Sequence, residues 1–273
     1  MQFIAWKGDF LGKHLYNQRE LRIGMTRYRD GYQGGLQKYD FSLKSISRGL
    51  ILFLIPLLAY TLGLFPLLWS LLWVLGYLNL GNILHILLFS GFLVILFFLF
   101  IIIETFLPGL FIRLLRLRVD EGAYNISILD WNFFKYTLFF VLYRPSLKLI
   151  GILPLLPLRI RYLKLMGLKM GKSSMLAGSE IIHDPYMVEI GEQTLIGGWS
   201  HIIGHSGEKK LVIKKVKIGN NCLIGGFSMI MPGAVIEDNV TLGLHSVVLK
   251  DMHLEKGKFY AGTPAKEVIK GIE

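Results

Sequence analysis

The first part of the chain holds a long uncharged apolar stretch. Between Arg48 and Glu104 stand 55 residues without a Lys, Arg, Asp or Glu. A helix needs only ~20 apolar residues to cross the hydrocarbon layer of a membrane. Two spans therefore fit, roughly at residues 50–75 and 83–106. The string NLGN at residues 79–82 is suited to a tight turn between them.

The last third of the chain follows a different pattern, a period of six. Apolar residues recur at this spacing in two runs: Ile190, Ile196 and Ile202, then Ile218, Ile224, Ile230, Ile236, Leu242 and Val248. Such a period indicates a short strand, a corner and another short strand, with one apolar side chain per strand pointing to a common axis. Three strands close a coil, so we expect a parallel β-helix of about four coils. Because its edges are open, oligomerisation is expected to cover them.

The period breaks once. Ile202 and Ile218 are 16 residues apart, and the string between them, GHSGEKKLVIKKVK at 204–217, includes His205 and five lysines. We expect a loop that leaves an otherwise rigid stack, and loops on rigid scaffolds often carry function.

Charge adds an orientation to the membrane helices. Residues 1–48 carry nine Lys or Arg against four Asp or Glu, and Arg113, Arg116 and Arg118 follow the second span. The positive-inside rule then places the N-terminus and the β-helix in the cytoplasm. No cleavable signal peptide is expected, because the first apolar run starts late and is too long. The net charge of +11 fits anionic lipid headgroups. Neither an RNA-binding signature nor a zinc-finger spacing suggests nucleic acid.

Four regions follow from these patterns. Residues 1–48 form a basic cytoplasmic segment and residues 49–106 a two-helix transmembrane hairpin. Residues 107–167 mix apolar runs with basic residues, so we expect interfacial helices rather than a third crossing, which would bury charge. Residues 168–273 form the β-helix. The single cysteine, Cys222, excludes an intrachain disulfide, and its place in the repeat predicts a core position.

From about residue 181 to residue 268 the chain resembles the hexapeptide-repeat acyltransferases of the galactoside, maltose and xenobiotic acetyltransferase kind. The resemblance is carried by IIHDPYMVEIGEQTLIG, GHS, the loop, IGNNCLIGG, MPGAVIEDNVTLG, SVVLKD and YAGTPAKEVI. It implies a left-handed β-helix and a homotrimer. A looser resemblance, of PLLPLRIRYLKLMGLKMGK, is to the membrane-embedded C-terminal regions of some peptide synthetases.

The acyltransferase resemblance implies the roles of two residues. His205 matches the histidine that acts as general base, and imidazole is suited to take a proton from a hydroxyl or amine that attacks a thioester. Asp184 matches an acidic position near the acceptor, where it would orient the base or hold the acceptor. Backbone N–H groups near Gly225 or Gly226 are expected to stabilise the tetrahedral intermediate.

The donor implied by the resemblance is acetyl-CoA or another acyl-CoA, and no metal is predicted. The positions matching coenzyme A contacts are Leu223, Gly225, Gly226, Leu244, Lys250, Thr263, Pro264 and Lys266. The two lysines are suited to phosphate. Leu223 departs from many relatives, which have a tryptophan there. The acceptor is expected to be membrane-associated or a sugar, such as a lipid-linked sugar or a lipid headgroup. The choice between O- and N-transfer stays open.

Two alternatives remain at this point. β-Helices of this type also form zinc carbonic anhydrases, which use three histidines across a subunit interface. Here His201, His205 and a partner's His245 would be the ligands, although the string IGGF at residues 224–227 has no histidine. The second alternative is a membrane-tethered scaffold without catalysis, which would need neither His205 nor the AGTPAK ending.

Overall fold

The computed structural model describes residues 42–153 and 155–269. Most of the basic segment predicted at residues 1–48 lies outside this range. Within these residues four helices come first, and a parallel β-helix follows, which confirms the predicted fold class.

Two long apolar helices open the described chain. Helix α1 is Leu43–Leu75 and helix α2 is Ile83–Leu114, so each extends beyond the predicted span. Ser42 caps α1 by accepting from the Ser45 N–H, and Asn82 caps α2 by accepting from the Leu84 N–H. Both helices are long and apolar enough to cross a membrane.

The outer surfaces of these helices stay apolar. Phe53, Trp69 and Leu87 are each about two-thirds exposed, at 66%, 66% and 67%. An exposed apolar surface of this extent is typical of contact with lipid. Pro56 lies inside α1 and is buried, so it faces the neighbouring helices. A proline at such a position is a usual cause of a kink in a helix.

Two further helices connect this hairpin to the β-helix. After a three-residue strand, β1 (Gly122–Tyr124), come α3 (Trp131–Ile150) and α4 (Leu156–Leu165). Asp130 caps α3 by accepting from two backbone N–H groups. Phe139, Tyr143 and Tyr162 are fully buried between α3, α4 and the first coil. The helices predicted within residues 107–167 are thus present, and their place at a membrane interface stays a prediction.

The β-helix has three sheets. Sheet I contains β2 (Lys169–Met170), β5 (Val188–Ile190), β10 (Val216–Ile218), β13 (Val235–Ile236) and β16 (His253–Leu254). Sheet II contains β3 (Met175–Leu176), β6 (Leu195–Ile196), β11 (Leu223–Ile224), β14 (Thr241–Leu242), β17 (Phe259–Ala261) and β18 (Lys266–Glu267). Sheet III contains β4 (Ile181–Ile182), β7 (His201–Ile202), β12 (Met229–Ile230) and β15 (Val247–Val248). All pairings in these sheets are parallel except β17 with β18.

The six-residue period sets which residues of neighbouring coils pair with each other. Ile224 pairs with Ile196 on one side and with Leu242 on the other, so each anchor stacks on the anchor of the next coil. Ile224 and Ile230 are fully buried, and Cys222 is 3% exposed in the same core. Four complete coils are present, and β16 and β17 add two sides of a fifth, against about four predicted.

The repeat is also longer between Ile182 and Ile190, which are eight residues apart instead of six. A 3₁₀ turn at Pro185–Met187 lies between β4 and β5 and takes up the two extra residues. The corner of the first coil is therefore wider than the others, and Asp184 stands at its start.

The break after Ile202 is a β-hairpin rather than an irregular loop. Strands β8 (His205–Gly207) and β9 (Leu211–Ile213) pair with each other, and β9 also pairs with β1 in an antiparallel register. Leu211 and Ile213 are buried at 4% and 0% exposure, which anchors the hairpin against the linker between α2 and α3. The sequence pattern predicted the break but not this three-stranded sheet.

Candidate active site

The two predicted catalytic residues lie in contact at the break in the period. Asp184 stands at the corner of the first coil and His205 at the start of the hairpin that leaves the second coil. The His205 Nδ1 atom is 2.6 Å from Asp184 Oδ2. The Asp184 side chain is fully buried, whereas the His205 side chain is 23% exposed. The fold thus joins a buried carboxylate to an imidazole that reaches the surface.

This contact determines which ring nitrogen is available. A carboxylate only accepts hydrogen bonds, so His205 donates from Nδ1, and the neutral ring then has its lone pair on Nε2. The Gly204 N–H donates to the same carboxylate oxygen at 2.9 Å. A side chain at Gly204 would place its Cβ 2.8 Å from that of Met187. Glycine is required at this close approach, and the backbone itself orients Asp184.

Helix α3 places aromatic side chains beside the hydrogen-bonded pair of His205 and Asp184, called the dyad below. The rings of Tyr136 and Phe140 lie 5.4 Å and 6.4 Å from the His205 ring, measured between centroids. Burial raises the pKa of Tyr136, and the nearby Asp184 carboxylate raises it further. The pKa of Tyr186 is raised by the same two causes in the same order. Both phenols therefore stay protonated next to a carboxylate.

A second hydrogen-bonded chain starts on the same helix. Arg144 Nη1 lies 3.4 Å from His183 Nδ1, and His183 Nε2 lies 3.2 Å from His201 Nδ1. Because the guanidinium only donates, His183 accepts at Nδ1 and donates from Nε2 to His201. Burial, and next the charge of Arg144, lower the pKa of His183 from 6.5 to about 4. His183 is thus a neutral imidazole, 6.0 Å from the His205 ring between centroids.

Sequence reasoning missed Tyr136, Phe140, Arg144 and the hydrogen-bonding role of His183. The three helix residues are spaced by four, which places them on one helix face. That spacing was visible in the sequence. What the face contacts was not visible, because Arg144 and His183 are 39 positions apart.

Several predicted coenzyme A positions share one corner of the β-helix. Gly226, Leu244 and Thr263 follow sheet II in successive coils, and the Thr263 hydroxyl donates to the His245 carbonyl at 3.3 Å. Leu244 is 69% exposed there. Pro264 follows Thr263 through a cis peptide bond. These positions form one continuous outer surface.

The other predicted contacts are placed differently. Leu223 is 45% exposed on the outer face of sheet II. Lys250 lies at the corner after sheet III, where its Nζ bonds the Glu208 carboxylate of the hairpin at 2.9 Å. Lys266 is exposed on β18. The Gly225 N–H donates to the Leu242 carbonyl at 2.8 Å and is therefore already engaged between coils. Of the two backbone N–H groups expected to stabilise the tetrahedral intermediate, only that of Gly226 stays a prediction.

An exposed aromatic stack follows the same corner. Trp199, Phe227 and His245 lie one above another, with ring centroids 6.4 Å and 4.9 Å apart and nearly parallel planes. His245 is thus part of this stack. Within residues 42–153 and 155–269, no three His, Cys, Asp or Glu side chains converge as a metal site. The zinc alternative therefore gains no support from the geometry.

A comparison with protein families identifies the repeat. The family model described as bacterial transferase hexapeptide (six repeats) matches residues 215–250, which include most of the third and fourth coils. The third and fourth coils thus match transferase hexapeptide repeats. This match confirms the resemblance to the hexapeptide-repeat family.

Among curated proteins, the delta-poly-L-ornithine synthetase of Acinetobacter baumannii (strain AB307-0294) is 26% identical over 116 residues. The match covers 38% of this chain and 8% of that protein, so the chain spans a small part of its relative's length. This relative is a synthetase, in line with the looser resemblance to peptide synthetases.

Solved hexapeptide-repeat structures are also similar. A maltose O-acetyltransferase from Clostridium difficile 630 is 20% identical and has a TM-score of 0.41, with 56% of this chain and 94% of that chain covered. A hexapeptide-repeat acetyltransferase from Vibrio cholerae is 19% identical and has a TM-score of 0.38, with 46% and 86% covered.

Proposed function

We propose that the chain is a membrane-anchored, CoA-dependent O- or N-acyltransferase with His205 as general base. The observation that carries the proposal is the His205–Asp184 hydrogen bond at the break in the six-residue period, just before residues 215–250, which match transferase hexapeptide repeats. A buried carboxylate, a partly exposed imidazole and an exposed outer corner of the β-helix are the parts that proton abstraction next to a bound thioester requires.

The reaction follows from the orientation of the dyad. As the acceptor hydroxyl or amine attacks the thioester carbonyl, its proton passes to His205 Nε2. Asp184 holds the ring by Nδ1 and stabilises the imidazolium that forms. The tetrahedral intermediate then collapses, the C–S bond breaks, and the imidazolium returns the proton to the thiolate of coenzyme A. The acyl group, acetyl by default, is left on the acceptor.

Coenzyme A is proposed to lie along the corner formed by Gly226, Leu244 and Thr263. The exposed Leu244 at this corner and Leu223 on the adjoining face of sheet II suit the pantetheine arm, and Lys250 and Lys266 suit its phosphates. A homotrimer, proposed from the resemblance, would cover the same corner with a second copy. Light scattering of the purified protein measures the oligomeric state directly.

The helices α1 and α2 are proposed to cross a membrane with the β-helix on the cytoplasmic side. Cys222 is the single cysteine and is buried. In a Cys222→Ala background, a cysteine replacing Asn79 between the helices or Lys256 on the last coil reports sidedness. An impermeant maleimide should label position 79 and not position 256 in intact cells. The reverse labelling would contradict the orientation.

The test of the activity uses the full-length protein with labelled acetyl-CoA and membrane extract. His205→Ala is expected to lower product formation by about 10²–10⁴-fold, the usual contribution of general acid–base catalysis. His253→Ala is the matched control, since His253 is exposed on the last coil and paired with Glu237. If His205→Ala and His253→Ala are equally active, the proposal is wrong. The product mass identifies the acceptor.

A further inference from the structure

A cavity of about 470 Å³ lies between the end of α3, the start of α4 and the first two coils. Its wall includes Arg144, Lys148 and Arg159, together with Ser179 and Trp199. The volume is within the range of small-molecule sites in proteins, roughly 300–1,000 Å³. It adjoins the corner assigned above to coenzyme A, because Trp199 in its wall stacks on Phe227 of that corner.

The charge of this cavity is unbalanced. Arg159 is neutralised, since its Nε bonds the buried Glu180 carboxylate at 3.1 Å. Arg144, in contrast, contacts the neutral His183 and the face of Phe140, and has no acidic partner within the described part of the chain. Lys148 is exposed and likewise forms no ion pair within residues 42–153 and 155–269. No Asp or Glu lines the cavity.

An apolar rim accompanies the two cations. Trp199 is 58% exposed and Ile152 is 59% exposed, and both line the cavity. A ligand that fits must therefore offer an anionic group to Arg144 and Lys148 and an apolar or sugar surface to the rim. Guanidinium and ammonium groups together are the usual partners of phosphate.

One face of α3 connects the cavity to the base. Phe140, Arg144 and Lys148 are spaced by four and lie along the same side of the helix. Phe140 contacts the His205 ring, Arg144 bonds His183, and Lys148 lines the cavity. Arg144 is thus hydrogen-bonded to His183, whose ring centroid lies 6.0 Å from that of His205.

We propose that this cavity binds the acyl acceptor through a phosphate group. The inference rests on the proposed function and names the substrate class. The acceptor carries a phosphate close to the hydroxyl or amine that is acylated. The phosphate belongs to an amphiphile delivered by the membrane or to a soluble sugar phosphate, and the two sources differ in whether an acyl tail contributes to binding.

Direct binding to the full-length protein in detergent tests the inference without requiring transfer. The probes are glucose 1-phosphate, short-chain phosphatidic acid, and short-chain phosphatidylcholine as a probe whose phosphate charge is balanced. The expected result is binding of at least one of the first two, with Kd raised about tenfold in Lys148→Gln and further in Arg144→Gln. Lys172→Gln, an exposed lysine of the first coil, is the matched control and should not change Kd.

Each outcome has one meaning. Phosphatidic acid bound at least tenfold more tightly than the sugar phosphate supports a membrane-delivered acceptor, and similar affinities support a soluble one. Lack of binding by both phosphates, or equal Kd values in wild type, Lys148→Gln and Lys172→Gln, overturns the inference. Because Lys148 is exposed, its replacement should not unfold the protein, and circular dichroism checks this. Loss of transfer in His205→Ala is measured separately, so the two proposals can fail independently.

Discussion

Replacing Asp184 by Asn removes the negative charge next to His205 and keeps the shape of the side chain. The side chain is fully buried, and its Oδ2 accepts from both His205 Nδ1 and the Gly204 N–H. An asparagine oxygen can still accept both bonds, so the corner of the first coil should stay in place. What is lost is the negative charge 2.6 Å from the imidazole.

The size of the effect follows from this contact. A hydrogen bond to a charged group contributes about 1.5–3 kcal/mol. That charge is needed most when His205 carries the proton of the acceptor. Since ~1.4 kcal/mol corresponds to a tenfold change in rate, kcat should fall about 10- to 150-fold. The KM for acetyl-CoA should change little, because Asp184 lies away from the corner assigned to coenzyme A.

The assay is release of free thiol from acetyl-CoA in the presence of the acceptor, measured with full-length protein. Asp251→Asn is the matched control, since Asp251 is 52% exposed and pairs with Lys214 on the surface. Its kcat should equal that of the wild type. If Asp184→Asn retains more than half of the wild-type kcat with an unchanged melting temperature, His205 does not depend on this carboxylate and the mechanism is refuted.

Three further predictions concern stability. The pKa of His183 is about 4 in the folded protein against 6.5 in the ordinary side chain, so the unfolded chain binds a proton first as the pH falls. The Tm should therefore drop between pH 6.5 and pH 4, and it should drop less in His183→Gln. In Gly197→Ala the new Cβ would lie 2.5 Å from the Gly226 nitrogen, and unfolding in denaturant should show a loss of about 1–3 kcal/mol, whereas Gly207→Ala, with open space around it, should change little. Ile230→Ala empties a fully buried site and should cost about 2–5 kcal/mol by the same measurement, a loss that Met229→Ala, facing outward at 37% exposure, should not match.

The hairpin is a part of the fold that the sequence pattern predicts only incompletely. The unequal spacing from Ile202 to Ile218 marks an insertion, and the apolar string LVI at residues 211–213 suits a strand. Its partner, however, is β1, and Ala123 pairs with Val212 across 89 positions. A three-residue strand carries too little pattern to indicate such a partner, because pairing over this distance depends on how the intervening helices pack.

The sequence by itself determined the coils and the apolar helices, but it left open whether Asp184 orients His205 or holds the acceptor. A repeat of six places every third anchor at the same point of the next coil, so residues one coil apart are neighbours whatever surrounds them. The tertiary structure alone decided what faces His205 from outside the coils. Tyr136, Phe140 and Arg144 reach the site because α3 packs against the first coil through buried aromatic side chains. Such packing depends on the complementary shapes of two surfaces, which no periodicity along the chain encodes.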